Sequence, residues 1–446
     1  MKKINLILLI SILCLNYSYG QEKLTHYSKK DGLSSTWVRD CLEDQQGNMW
    51  FATDKGLCKF DGEKLECFTK KEGLPAKEVR QLFMDKNGII FFTMEPENSL
   101  TSSLGGALGS VIGSLTKKGK AWGRYEKGKI VTNMNKNSSE YLWSHIANVD
   151  GDIWIGGISK KSKMGFFLMH HNSQTLNPVT ELGGSDFPPV GFFYCTGTDN
   201  IWISSSFGKG DYIFHFDGSN WSSYGEKDGL ATKIRYKSIQ TIFEDINGNV
   251  WFRSSVDAIN GGLMQFDGTN WTVYTEDNGV IGKGINKIVE DKDGNIWVGT
   301  NKGLNVFDGV SWKNYSENDK LPHKFITVIK VDSKGRVWIG TAGGLVLFDQ
   351  GIWSTINEDN GITHNSIRSI GEDSRGNIWV SAGPLLGLKK GGVSIYDGTF
   401  WKKLDSEELA ASGYFEDSKG NMWLLTLGNG VFRYEYDSNT ETKDIN

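Results

Sequence analysis

The chain is 446 residues long and carries 55 Gly against 7 Pro, with 16 Trp and 38% hydrophobic residues. This balance excludes disordered, collagen-like and Pro-rich chains. Basic and acidic residues nearly cancel, 49 against 53 for a formal charge of −4, and without a basic tract neither nucleic acid nor an anionic membrane surface is attracted.

Residues 1–20 have the pattern of an export signal. Lys2 and Lys3 form a positive n-region, Ile4 to Leu15 an apolar h-region, and Ser18 and Gly20 put small residues at −3 and −1 before Gln21. The apolar run is shorter than the roughly 20 residues that cross a bilayer. Leu13 is too large to precede a lipidated Cys14, so cleavage before Gln21 is expected. No later segment reaches spanning length, which puts the mature chain in the periplasm or beyond.

From there the chain repeats one unit. Gly294-Asn295-Ile296-Trp297-Val298-Gly299-Thr300, then Gly303-Leu304, Phe307-Asp308-Gly309, Trp312 and Tyr315, recurs along residues 21–436. Its most fixed point gives nine anchors: Trp50, Phe91, Trp154, Trp202, Trp251, Trp297, Trp338, Trp379 and Trp423. Trp122, Trp221, Trp271, Trp312, Trp353 and Trp401 fill a second slot, expected to open a fourth strand. The abundance of Trp is therefore a repeat signature.

Each unit reads as four short strands. Around Trp251 they are expected at Ser238–Glu244, Asn249–Arg253, Gly262–Phe266 and Trp271–Tyr274, with Asp245 to Asn249 and Asp267-Gly268 as turns. Four antiparallel strands repeated radially make a β-propeller blade. The last unit ends at Tyr434 without a fourth strand, while Leu24 to Tyr27 stands before the first unit as a fourth strand without a blade. Joining them closes a ring and removes exposed sheet edges. The expected fold is all-β: a single propeller of nine blades over residues 21–436, closed by the N-terminal strand, with 437–446 as a polar tail.

The unit resembles the two-component regulator propeller repeat. Ile285–Asp308 and Ile326–Asp349 carry its Asp-x-x-Gly-x-Ile/Val-Trp-x-Gly-Thr-x-x-Gly-Leu-x-x-Phe-Asp pattern, and the resemblance extends over residues 22–436. It implies the sensor propeller of hybrid two-component receptors in Bacteroidetes-type bacteria, where such repeats are linked to glycan sensing. No linker domain, membrane helix or kinase segment follows residue 436. What the resemblance implies here is the fold and ligand binding, with direct phosphotransfer unsupported.

In a propeller, the loops joining strands two and three share one face with those joining strand four to the next blade. From anchor to third-strand aromatic is ten residues at Trp50, Trp297 and Trp338, but fourteen to seventeen at Trp154, Trp202, Trp251 and Trp379, and about twenty-six at Phe91. Such variation on a constant frame marks that face as the binding face, with neutral drift as the alternative. The longest insertion, Met94 to Ser114, holds Gly105, Gly109 and Gly113; a lid over the channel is expected, with a disordered loop or membrane contact as alternatives.

At the channel-side start of the innermost strands stand Arg39, Arg80, Gln240, Asn286, Thr327 and Arg368. Their hydrogen-bonding side chains suit carbohydrate hydroxyls or, through paired Arg donors, a carboxylate. Trp37 and Trp143 fall beside this ring as possible sugar platforms. Ordinary channel lining is the competing explanation.

Neither a metal nor a cofactor is expected. Asp291-Lys292-Asp293-Gly294-Asn295 lacks the closing Glu of a calcium loop and reads as a β-turn. Seven His are scattered, and the neighbours His170 and His171 point to opposite faces of a strand. No catalytic motif is present, although propeller lyases and hydrolases assemble their groups from separate blades. Cys58 and Cys67 lie opposite each other when Phe60 pairs with Leu65, open to a disulfide or to two packed thiols. Cys41 and Cys195 are expected in the core. The sequence thus favours an exported, non-catalytic propeller that binds a glycan fragment or a protein partner. A polysaccharide lyase or hydrolase and an adhesive surface protein are the alternatives.

Overall fold

A computed structural model describes residues 23–74, 76–95, 121–132, 145–149, 152–158, 166–171, 176–179, 190–197, 200–205, 213–228, 230, 239–254, 262–282, 284–384, 391–404 and 409–436. Thirty-six strands pair into nine four-stranded antiparallel sheets, one for each anchor. Eight sheets are built from consecutive strands. The ninth combines Ala411–Glu416, Met422–Thr426 and Val431–Glu435 with Lys23–Tyr27, whose Tyr27 lies opposite Val431. Blades are numbered here by anchor, from blade 1 with Trp50 to blade 9 with Trp423. The export signal, Trp143, residues 96–120 and the 437–446 tail lie outside the described residues.

The strands of blade 5 fall at Ile239–Glu244, Val250–Ser254, Leu263–Phe266 and Trp271–Tyr274, close to expectation. Blade 2 requires a correction. Trp122 belongs to the third strand, Ala121–Glu126, opposite Thr93, and the fourth strand is Lys129–Thr132. Tyr125 opposite Ile90 holds the place that Phe60 holds opposite Met49. The second strand runs through Glu95, so the insertion is 96–120, not Met94 to Ser114. Counting on Trp failed there because the slot residue lies one strand earlier.

In six blades the anchor Trp is fixed by an Asp six residues before it, whereas Trp202 of blade 4 follows Thr196 at that spacing and its indole N–H has no partner among the described residues. In blade 6, Asp291 Oδ1 accepts the N–H groups of Asp293 and Asn295 at 3.0 and 2.9 Å, and Oδ2 accepts the Trp297 indole N–H at 2.7 Å. Asp44, Asp245, Asp332, Asp373 and Asp417 bind Trp50, Trp251, Trp338, Trp379 and Trp423 in the same way, at 2.8–2.9 Å. Gly294 completes this turn with φ of 80°, a conformation that disfavours any side chain. The segment that superficially resembled a calcium loop is thus a turn whose carboxylate is filled by donors.

With its N–H satisfied, the indole can be buried between blades. Trp297 packs on Phe348 of blade 7 at 5.0 Å between ring centres, Trp338 on Tyr396 of blade 8 at 5.8 Å, and Trp423 on Phe60 of blade 1 at 5.8 Å. Each aromatic pair adds about 0.5–1.5 kcal/mol beyond its buried area. Aliphatic residues fill the same interfaces: Trp423 and Leu425 share a cluster with Val38 and Phe51 of blade 1.

A polar joint repeats as well. The residue after the turn Asp donates its N–H to a Glu ending the first strand of the next blade: Ile246 to Glu290, Ser333 to Glu372, Ser374 to Glu416. Ser418 donates to Glu43 at 2.6 Å, across 375 residues of sequence. The last blade and the first therefore meet as blades 5 and 6, 7 and 8, and 8 and 9 do.

Candidate binding site at the channel mouth

Five of the six ring residues occupy β-bulges. In blade 1, Val38 pairs with Thr53 and Asp40 with Ala52, leaving Arg39 outside the ladder. Asn286, Thr327 and Arg368 are passed over in the same way in blades 6, 7 and 8. In blade 2 the shift between Val79 and Leu82 covers both Arg80 and Gln81. A bulge frees a residue from the alternation of the strand and re-aims its side chain. Gln240 departs from this pattern, since it pairs with Arg253 and the blade 5 bulge comes later, between Thr241 and Phe243.

These residues do not form one uniform ring. Arg39 and Arg80 converge on Glu78, the first with Nη2 at 2.7 Å and the second with Nε at 2.9 Å from Oε1. Glu78 is only 9% exposed, and a carboxylate that deep needs such partners. Both guanidinium groups meet at the same oxygen of this carboxylate. Beside it, Asp40 accepts the N–H groups of Leu82 and Cys41 at 2.8 and 2.9 Å. Burial nevertheless raises its carboxyl above the ordinary range.

Elsewhere the ring holds the frame together. Asn286 donates its amide to the Ile326 carbonyl of the next blade at 2.8 Å. Arg253, which sequence reasoning missed, donates likewise to Ile285 at 2.8 Å, as Ser369 does to Ala411 at 3.0 Å. Arg368 donates to the carbonyls of Gly383 and Pro384, where the long connection of blade 8 begins. Burial lowers the pKa of both Arg253 and Arg368. The Thr327 hydroxyl is buried with no hydrogen-bond partner among the described residues. Trp37 bridges to Leu427 of blade 9 and accepts the Asp54 N–H at 3.2 Å, which fixes it at the seam of the ring.

The bulges lie at the same end of the blades as the variable connections. Second and third strands are joined by 54–55 in blade 1 and 342–343 in blade 7, but by 96–120 in blade 2, 206–212 in blade 4 and 383–391 in blade 8. Glu78 of the cluster lies opposite Glu95, where the second strand of blade 2 ends. Such an arrangement can hold acceptor-rich ligands such as hydroxyls or carboxylates through guanidinium donors.

The cysteines divide as their positions dictate. Cys58 and Cys67 face each other across the third and fourth strands of blade 1, with Cα atoms 4.1 Å apart, and form a disulfide. Cys41 is buried, and desolvation pushes its thiol up. Cys195 lies on the first strand of blade 4, Val190–Gly197. No helix among the described residues is long and apolar enough to cross a membrane.

A sequence profile described as two component regulator propeller matches residues 32–55, 279–302, 320–343 and 361–383. Among curated proteins none matches in sequence. In fold, the chain is similar to a crystal structure of the eukaryotic initiation factor, with a TM-score of 0.51 at 11% identity over 86% of this chain and 96% of that one. It is also similar to the extracellular domain of a hybrid two component system from B. thetaiotaomicron, at 15% identity and TM-score 0.37 over 94% and 84%. A streptogramin B lyase matches at 12% identity and TM-score 0.41 over 94% and 99%.

Proposed function

Because the chain carries two-component regulator propeller repeats on a closed ring of four-stranded blades, we propose that it is an exported recognition propeller of the sensor type. Its ligand is a glycan fragment or a protein partner, held at the channel mouth on the face of the variable connections. The observation that supports this most is the pair of bulged arginines, Arg39 and Arg80, on the single carboxylate of Glu78. A bulge that only closed the ring would need a side chain such as Asn286, which reaches the next blade's carbonyl. Guanidinium forks gathered at bulged positions of the mouth suit an acceptor-rich ligand. Trp37 is assigned to the same site as an aromatic platform, with Thr327 and Gln240 as further lining.

The test combines a panel of oligosaccharides with thermal shift and chromatography of the products. The wild-type mature protein is expected to be stabilised by a ligand that is recovered intact. A variant carrying Arg39→Gln, Glu78→Gln and Arg80→Gln keeps a hydrogen-bonded cluster without its charges and is expected to lose that stabilisation while folding normally. An equal shift in the folded triple variant would remove the site from the mouth, and shortened or unsaturated products would make the protein an enzyme.

A further inference from the structure

On the opposite face of the ring, the junction of blades 1 and 2 is open. At the junction of blades 7 and 8 the Asp397–Phe400 turn lies over the preceding blade's turn, where a Cβ on Gly398 would stand 3.8 Å from Lys334 Nζ. Arg336 covers the Tyr396 ring there at 5.9 Å. At the junction of blades 1 and 2 the corresponding turn is the tight Lys127-Gly128, with φ of 50° and 78°, closing the pair Glu126 and Lys129. The joint is also different: Met84 stands where blades 1, 5, 6, 8 and 9 place Glu, as Val331 does in blade 7, and Gln45 reaches the Lys86 carbonyl through its side-chain amide at 3.2 Å. A cleft of about 560 Å³ results, within the range of roughly 300–1,000 Å³ usual for small-molecule sites.

Its lining includes the partly exposed Tyr125 ring, which packs on the buried Trp50 at 4.6 Å between ring centres. Its walls alternate in charge. Lys59, whose ammonium lies 5.7 Å from the Trp50 ring and has no salt-bridge partner among the described residues, and Lys127 face Glu126 and Asp44. Glu66 lies across the strand from Lys59. Both signs are present, so the field favours no net charge on a ligand. Donors and acceptors stand within one small volume above a ring face, which matches a molecule with hydroxyls around its edge and C–H groups on its face.

We propose that this cleft between the first two blades is a second binding site, for a small neutral polyhydroxylated ring ligand. It is separate from the channel mouth and stands whether or not the mouth binds anything. The probes are cellobiose, maltose and lactose, with glucuronate as the charged control, each titrated into the mature protein by calorimetry and saturation-transfer NMR. At least one neutral disaccharide is expected to bind with Kd of about 1 mM or tighter, and more tightly than glucuronate. Tyr125→Leu is expected to weaken it by about tenfold. In a second variant, the Lys127-Gly128 turn is replaced by the longer Asp-Gly-Thr-Asn turn of blade 5. That change leaves Tyr125 intact and is expected to cover the cleft and abolish binding, while the triple mouth variant binds as wild type does. The proposal is overturned if no neutral probe binds, if glucuronate binds as well, if the long-turn variant binds unchanged, or if the mouth variant loses the probe.

Discussion

Blades 7 and 8 meet differently from blades 1 and 2, although the first blade of each pair carries the same Asp-clasped Trp. At the first junction Ser333 is held by Glu372, and Arg336 lies between Trp338 and Tyr396. At the second, the carboxylate is absent and the short Lys127-Gly128 turn leaves Trp50 beside a cleft. The clasp is therefore common to the two junctions, whereas the joint and the covering turn are not. Joint and covering turn are additions that a blade can lack, and at the junction of blades 1 and 2, where both are missing, a cleft lies between the blades.

Substitutions at matched positions sharpen that contrast. The largest effect is expected from Trp338→Ala, which removes a fully buried ring and leaves a cavity worth about 3–5 kcal/mol of stability. Trp50→Ala should fall at the lower end of that range, because water from the adjoining cleft can fill the space; denaturant unfolding of the two variants measures the difference. Next comes Asp332→Ala, which strands the indole and turn N–H groups at a cost of about 1–3 kcal/mol. In a Trp338→Phe background that cost should shrink, as a double-mutant cycle would report. Glu372→Gln should cost about 1 kcal/mol, with no counterpart at Met84.

The smallest effect concerns pH. Burial pulls the Asp44 carboxyl upward, but bonds from Trp50, Asn48 and Gln46 outweigh it and hold it below the ordinary carboxylate range. A depressed folded pKa stabilises above the unfolded value near 4 and loses that contribution as pH falls below it. The stability gap between wild type and Asp44→Asn should accordingly narrow from pH 5 to pH 3. A gap independent of pH would show that Asp44 acts through shape alone.

The sequence made the ring legible because one side chain, Trp, recurs at one structural place and because the two chain ends are fragments of a single blade. It misplaced Trp122 because blade 2 carries Trp one strand early. The spacing of six from Asp291 to Trp297, shared with Asp44 and Trp50, was readable and would have revealed the clasp. At the mouth, Arg39 and Arg368 look alike in sequence but differ in the structure, where one meets Glu78 and the other carbonyls of its own blade. Bulges are properties of strand pairing, so no single strand announces them. Glu78 escaped notice because it precedes the ring position and serves two blades at once.

The most direct test is a crystal structure of the mature protein with its most stabilising glycan. Density between Arg39 and Arg80 at the channel mouth is the predicted result. An occupied ligand elsewhere, with the Arg39–Glu78–Arg80 cluster unchanged and bare, would contradict recognition at the mouth.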